Sequence, residues 1–209
     1  MESFKSRTSH APAPRERGSA PYHRIMLSPR TASQIFTFVL SLWLGVVLTI
    51  GGVAAYAFPA MHRMHAMLES PVPGAVEPWR AVAGSLMTPL FLLIGWGGVC
   101  LLPTIGVFGW GGSRPAPGQP RAAWLACGAF LGAAIAAAAA FMLIGREMGQ
   151  VWEGVRNLPG TDTATAPGLM ATMERLHPYS SSALGVEAAA MLLAIIANIR
   201  NARYLGMVK

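Results

Sequence analysis

The segment Met61-His62-Arg63-Met64-His65-Ala66-Met67-Leu68-Glu69 holds the densest group of metal-ligating side chains in the sequence. On a helix, positions i, i+3 and i+7 put His62, His65 and Glu69 on one face. Two imidazoles and a carboxylate suit zinc or copper(II), while Met61, Met64 and Met67 offer thioethers to copper(I). His177, far along the chain, would supply a remote further ligand if it reached the same membrane side. The group falls short of a full ligand sphere. An interfacial amphipathic turn, with Met and Leu against lipid and His and Arg at headgroups, explains the same residues and is preferred. No cofactor is therefore expected; copper, zinc or haem would come with the metal-site alternative.

Glu187 is the second chemically loaded position, the one acidic residue inside a long apolar stretch. A carboxylate in hydrocarbon is expensive, so it must face the protein interior or a wet cavity, hold a proton, or find a partner. Arg146 is the nearest cation expected, with Thr49, Tyr56, Ser85 and Thr88 as hydroxyl partners. A neutral or paired carboxyl tying one helix to the others is the plainer role, and a proton or ion path is the sharper one.

Four apolar stretches must position these groups: about 35–57, 82–107, 122–145 and 179–199. Each is long enough to cross about 30 Å of hydrocarbon as a helix. With 53% hydrophobic and 12% charged residues, the composition does not fit an ordinary soluble domain. The fold class expected is an all-α integral membrane protein, four transmembrane helices in a bundle. Lys and Arg set its orientation. Lys5, Arg7, Arg15, Arg17, Arg24, Arg30, Arg114, Arg121, Arg200, Arg203 and Lys209 lie on one side, against Arg63, Arg80, Arg146, Arg156 and Arg175 on the other. Both termini are expected in the cytoplasm. The net charge of +7 follows from this topology and gives no reason to invoke nucleic acid.

Residues 1–31, rich in Ser, Pro and Arg, read as a disordered basic cytoplasmic arm, and 32–209 as the membrane domain. Ala55-Tyr56-Ala57 has the form of a signal-peptide cleavage site, but the apolar run before it is longer than a signal core. A bacterial inner membrane is the expected location, with an organellar membrane as the alternative. Phe58-Pro59 is expected to open a short separate helix through Leu68. The Gly- and Pro-rich connection 109–120 makes the second and third helices antiparallel neighbours. In the connection 146–178, flanks 147–156 and 169–177 read as helical extensions around a central loop.

Gly128, Gly132, Ala136 and Ala140 recur every four residues and predict a small-residue packing stripe, inside the bundle or in a subunit interface. Trp79, Trp110, Trp124, Trp152, Tyr179 and Tyr204 near the span ends predict an interfacial belt. Cys100 and Cys127 fall within spans and read as packing groups. There is no phosphate loop, dinucleotide glycine pattern or Ser/His/Asp arrangement, so an enzyme is not the expectation.

Leu42-Trp43-Leu44-Gly45, Phe58-Pro59-Ala60-Met61, Ala83-Gly84-Ser85-Leu86-Met87-Thr88-Pro89-Leu90-Phe91 and Arg175-Leu176-His177-Pro178-Tyr179-Ser180 occur in this order. Over about residues 35–199 they resemble the transmembrane-protein-205-like family, small four-helix membrane proteins of unknown function. The Trp-Leu-Gly entry is also similar to the start of copper-resistance-D-type membrane proteins. The resemblance implies a link to metal or solute tolerance without established catalytic residues, and points to His177 as the polar residue matching a recurring family position. The proline after His177 and the long basic arm depart from that pattern. The expected protein is a non-enzymatic membrane component, an accessory or assembly subunit or a solute- or metal-tolerance protein. Its expected partners are the lipid bilayer, itself or other membrane subunits. A metal- or haem-binding protein and a proton-coupled transporter using Glu187 are the alternatives.

Overall fold

Ser28 starts the first helix by accepting a hydrogen bond from the Thr31 backbone N–H at 3.1 Å through its Oγ, and Pro29 occupies the first helical position, where its missing N–H costs nothing. The computed structural model describes residues 28–64, 78–115, 117–157 and 166–207, with backbone only over 78–86 and at Arg156, Ala166, Gly206 and Met207. It contains α1 (Pro29–Arg63), α2 (Pro78–Ile105), α3 (Ala122–Arg156) and α4 (Ala166–Met207). Among the described residues, four helices are long and apolar enough to cross a membrane. The chain reads as an integral membrane protein on that ground.

Several boundaries differ from the sequence expectation. The first helix begins inside the stretch given to the arm. It also runs through Pro59 to Arg63 without a break, so no separate helix opens at Phe58-Pro59. A proline forfeits one backbone hydrogen bond but its fixed φ is helical, and so close to a helix end few neighbours are disturbed. Residues 65–69, including His65 and Glu69, lie outside the described residues. Both flanks of the third connection are helical as expected, and Pro178 is absorbed within α4.

α1 touches α2 and α4, and α3 touches α2 and α4, so contacts run around the ring of helices in chain order. Neighbours are antiparallel. Going up α1, Ser33 meets Asn198, Gly51 meets Leu184 and Phe58 meets His177, which descends α4. Gly95 faces Met142 and Gly106 faces Leu131 in the same opposed sense between α2 and α3. The start of α1, the α2–α3 connection and the end of α4 therefore share one end of the molecule, hereafter the terminal end.

The buried residues of α1 are Ala32, Ser33, Phe36, Leu40, Trp43, Val47, Ile50 and Ala54. From Ser33 they alternate steps of three and four. The same alternation gives Cys127, Leu131, Ala134, Ala138 and Phe141 in α3, and Glu187, Met191, Ala194, Asn198 and Asn201 in α4. A 3.5-residue repeat keeps a seam facing its partner along the whole helix, the packing of left-handed helix assemblies. A four-residue repeat advances about 40° per step and cannot. That is why Gly128, Gly132, Ala136 and Ala140 do not form a core stripe. Gly128 packs against the Trp110 indole, whereas Gly132 and Ala136 are exposed and Ala140 is half-buried.

α2 ends differently. After Pro103 it widens into one π-helical turn, Gly106–Trp110, and closes in a 3-10 turn, Gly111–Ser113. The wide turn rotates the chain so that Gly106 and Gly109 both face inward, against Leu131 and Phe36. Gly118, at φ +87°, then reverses the chain toward α3. At the opposite end, α3 and α4 continue as a pair with a small core of Trp152 and Val155 against Leu169, Met170 and Met173. At 1.5 Å per residue, 42 residues of α4 span about 63 Å, roughly twice the hydrocarbon thickness.

The tightest approach lies at Gly97 of α2, and its neighbour Gly98 is also closely packed. A Cβ on Gly98 would stand 2.7 Å from the Ala138 Cβ and 3.0 Å from Glu187 Oε1. Because the Ala138 Cβ is fixed to its backbone, a Gly98→Ala variant must push α2 from α3, a loss of about 1–3 kcal/mol. Gly45→Ala meets open space and should be neutral or stabilising by up to about 1 kcal/mol. Unfolding midpoints of both variants in mild detergent check this pair.

Candidate functional site

Helix four brings Glu187 to the place where all four helices meet. Its side chain is 0% exposed, beside Gly98 of α2, which itself packs on Ala138 of α3. The Trp43 indole of α1 closes the remaining side, with its N–H within reach of the carboxyl. The indole lies against Gly97, where any Cβ would collide with the edge of the six-membered ring. The pair nevertheless misses hydrogen-bond geometry: Trp43 Nε1 and both Glu187 oxygens are buried without a partner. Two glycines and an alanine thus make the volume that an indole and a carboxyl fill.

Neither Arg146 nor, of the expected hydroxyls, Thr49 or Tyr56 reaches this carboxyl, and the Ser85 side chain lies outside the described ones. Arg146 is exposed, eight residues or about 12 Å of rise along α3 from Ala138. Thr49 donates to the Gly45 carbonyl in its own helix at 2.7 Å, and Tyr56 is 74% exposed. An internal bond of this kind lets a threonine face lipid without an unsatisfied hydroxyl.

A second polar group lies three turns further along the α4 seam. Asn198 Nδ2 donates toward the Ser33 carbonyl (2.9 Å), Ser33 Oγ (3.0 Å) and Thr37 Oγ1 (2.9 Å), binding α4 to α1. Asn201 Nδ2 donates to the Ser113 carbonyl at 3.0 Å, and Ser113 Oγ donates to the Trp110 carbonyl at 3.0 Å. Trp110 and Trp124 then stack at 4.4 Å and exchange bonds, each indole N–H donating to the other's carbonyl at 2.8 and 3.0 Å. The chain of bonds runs from α4 through the end of α2 to α3. Met191 and Ala194 separate this group from Glu187, so the two polar layers are not continuous.

The aromatic belt is accordingly only partial. Tyr179 and Tyr204 are exposed, but Trp110 and Trp124 form the clamp and Trp152 is buried between α3 and α4. The side chain of Trp79 lies outside the described ones. Sequence reasoning missed Asn198, Asn201 and Ser33. The signal was present: from Glu187, the steps 4, 3, 4, 3 lead to Asn198 and Asn201, and Ser33 opens the same repeat in α1.

Of the metal candidates, His177 packs edge-on against Phe58 at 6.4 Å between ring centres, which brings it to the α1 face one turn before His62. Both histidines are exposed, at the end away from the termini. Among the described residues no group of three or more His, Cys, Asp or Glu is arranged to hold a metal ion.

The chain matches no protein-family model, and no curated protein or solved structure is significantly similar to it.

Asn198 is the central donor of the terminal end. Replacing it by Ala should remove the bonds from α4 to Ser33 and Thr37 of α1 and cost about 1 kcal/mol, the usual scale of such bonds between membrane helices. The unfolding midpoint in detergent should fall accordingly, while Asn201→Ala in the same background should add a further loss.

Proposed function

We propose that this is a non-enzymatic membrane protein that acts through helix packing, an accessory or assembly subunit that associates with itself or with other membrane subunits. In this reading the helices form a bundle, with both termini on the cytoplasmic side of a bacterial inner membrane, as the Lys and Arg distribution favours. The observation that carries it is the outer face of α3. Between exposed Leu125 and Leu143, the exposed positions Ala129, Gly132, Ala133 and Ala136 are all small. Gly132 has nothing within 4 Å of where its Cβ would be. Small residues that no described helix packs against let a foreign helix approach closely, and in lipid such close packing is what drives association. The resemblance to four-helix proteins linked with solute or metal tolerance is compatible with a subunit role. Gly132→Leu should leave the unfolding midpoint unchanged and abolish the larger species in a gentle size-exclusion profile. A wild-type protein that is monomeric and co-purifies with no membrane partner would sink the reading.

A second reading rests on Glu187, whose two buried oxygens lack partners. A carboxyl in that setting is stable when neutral, and gaining or losing its proton would change what the four helices enclose. This is the proton-coupled transporter reading, in which Glu187 carries the proton. Glu187→Gln should then preserve assembly and stability while eliminating proton-dependent flux in proteoliposomes. Unchanged flux would leave Glu187 as a tie between helices.

A further inference from the structure

The groove between α1 and α4 at the terminal end has a polarity gradient along its length. It encloses about 700 Å³. Arg30 and Arg203 stand at its outer end, Gln34 and Ser41 line its wall, and Phe38 and Ile199 give it an apolar surface. The Ser33–Asn198 bond fixes the register. Outward from that bond, Arg30 lies three residues before Ser33 on α1 and Arg203 five residues after Asn198 on α4, so both line the outer part of the groove. Phe38 and Ile199 are 70% and 42% exposed.

Charge decides what fits. Among the described residues the terminal end carries Arg30, Arg114, Arg121, Arg200 and Arg203 and no Asp or Glu. Two guanidinium groups lining one end of a groove repel when no anion lies between them, and a guanidinium presents paired donors that match phosphate oxygens. From Arg30 to Ser41 the groove follows α1 for about 16 Å, from headgroup level into hydrocarbon. An ion would use only the outer end. A molecule with a phosphate at one end and an acyl chain at the other uses the full length.

We infer that this groove is a binding site for one anionic phospholipid, with its phosphate between Arg30 and Arg203 and an acyl chain along Phe38 and Ile199. Basic recesses between membrane helices hold anionic headgroups by this combination of charge and shape. The inference rests on the membrane reading of the chain. A bound lipid would brace α1 against α4 outside the Asn198 layer, where no described hydrogen bond joins the two helices.

Native mass spectrometry of the detergent-purified full chain, titrated with phosphatidylglycerol or phosphatidylcholine, tests it. Phosphatidylglycerol should be retained about tenfold more tightly. Arg30→Gln/Arg203→Gln should remove that preference, and Arg30→Lys/Arg203→Lys should restore part of it. Arg121→Gln, at the same end but outside the groove, should change little. If the double Gln variant does not fold, as judged by its unfolding midpoint, Arg203→Gln alone serves and should lose part of the preference. Equal retention of the two lipids, or a preference unaffected by the groove variants, overturns the inference. Displacement of phosphatidylglycerol by millimolar inorganic phosphate would also overturn it, making free phosphate the ligand. Alkaline carbonate extraction of membranes tests the membrane reading separately. A chain that resists extraction but shows no lipid preference loses the groove and keeps the membrane.

Discussion

Inside hydrocarbon an apolar side chain gains little by leaving lipid for protein, so four apolar helices hold together only where their surfaces fit closely. In this chain the fit is made at Gly97 and Gly98. Their missing side chains admit the Trp43 ring and bring Ala138 and the Glu187 carboxyl against the α2 backbone. Everything else in the arrangement respects that closest approach. Large side chains such as Phe36, Leu40, Ile94, Leu102 and Met191 fill the layers away from the glycines. Gly109 repeats the device nearer the terminal end, where Phe36 takes the space a side chain would need.

Polar groups add direction to this fit. Close packing alone permits helices to slide or rotate by small steps, whereas Asn198 and Asn201 each have one set of carbonyls and hydroxyls to meet. Their bonds fix the register of α4 against α1 and against the end of α2. The stacked tryptophans perform the same office between α2 and α3, with two reciprocal bonds and a ring contact in a connection of few residues. One end of the molecule is thus specified by hydrogen bonds. At the opposite end α3 and α4 extend as a pair around an apolar patch at Trp152.

Much of this was legible in the sequence, for physical reasons. Apolar length alone gives four helices, and the Gly/Pro content of 109–120 gives a tight reversal. Helix ends were less legible. A proline near an end is compatible with either a stop or a continuation, and α1 continues through Pro59. Glu187 stood out because no other acid lies in a span, but its neighbours did not: Trp43 and Gly98 are sequence-distant, and only the packing joins them. The four-residue stripe on α3 fits the bundle or a subunit interface alike, because small side chains mark close approach without saying whose; Gly132 and Ala136 face outward. The true seams repeat every 3.5 residues, and neutral asparagines inside them attract less notice than a charge.

The polar positions of α4 also constrain the length of the chain. Each residue turns a helix by about 100°, so deleting one residue between Glu187 and Asn198 would swing both asparagines out of the seam and into lipid. Seven residues restore the angle but shift the asparagines by about 10 Å along the axis, beyond the reach of Ser33 and Ser113. No insertion or deletion satisfies both angle and depth. Helix four therefore acts as a ruler whose spacing between carboxyl and amides is fixed, and this segment should vary among related chains by substitution and not by length.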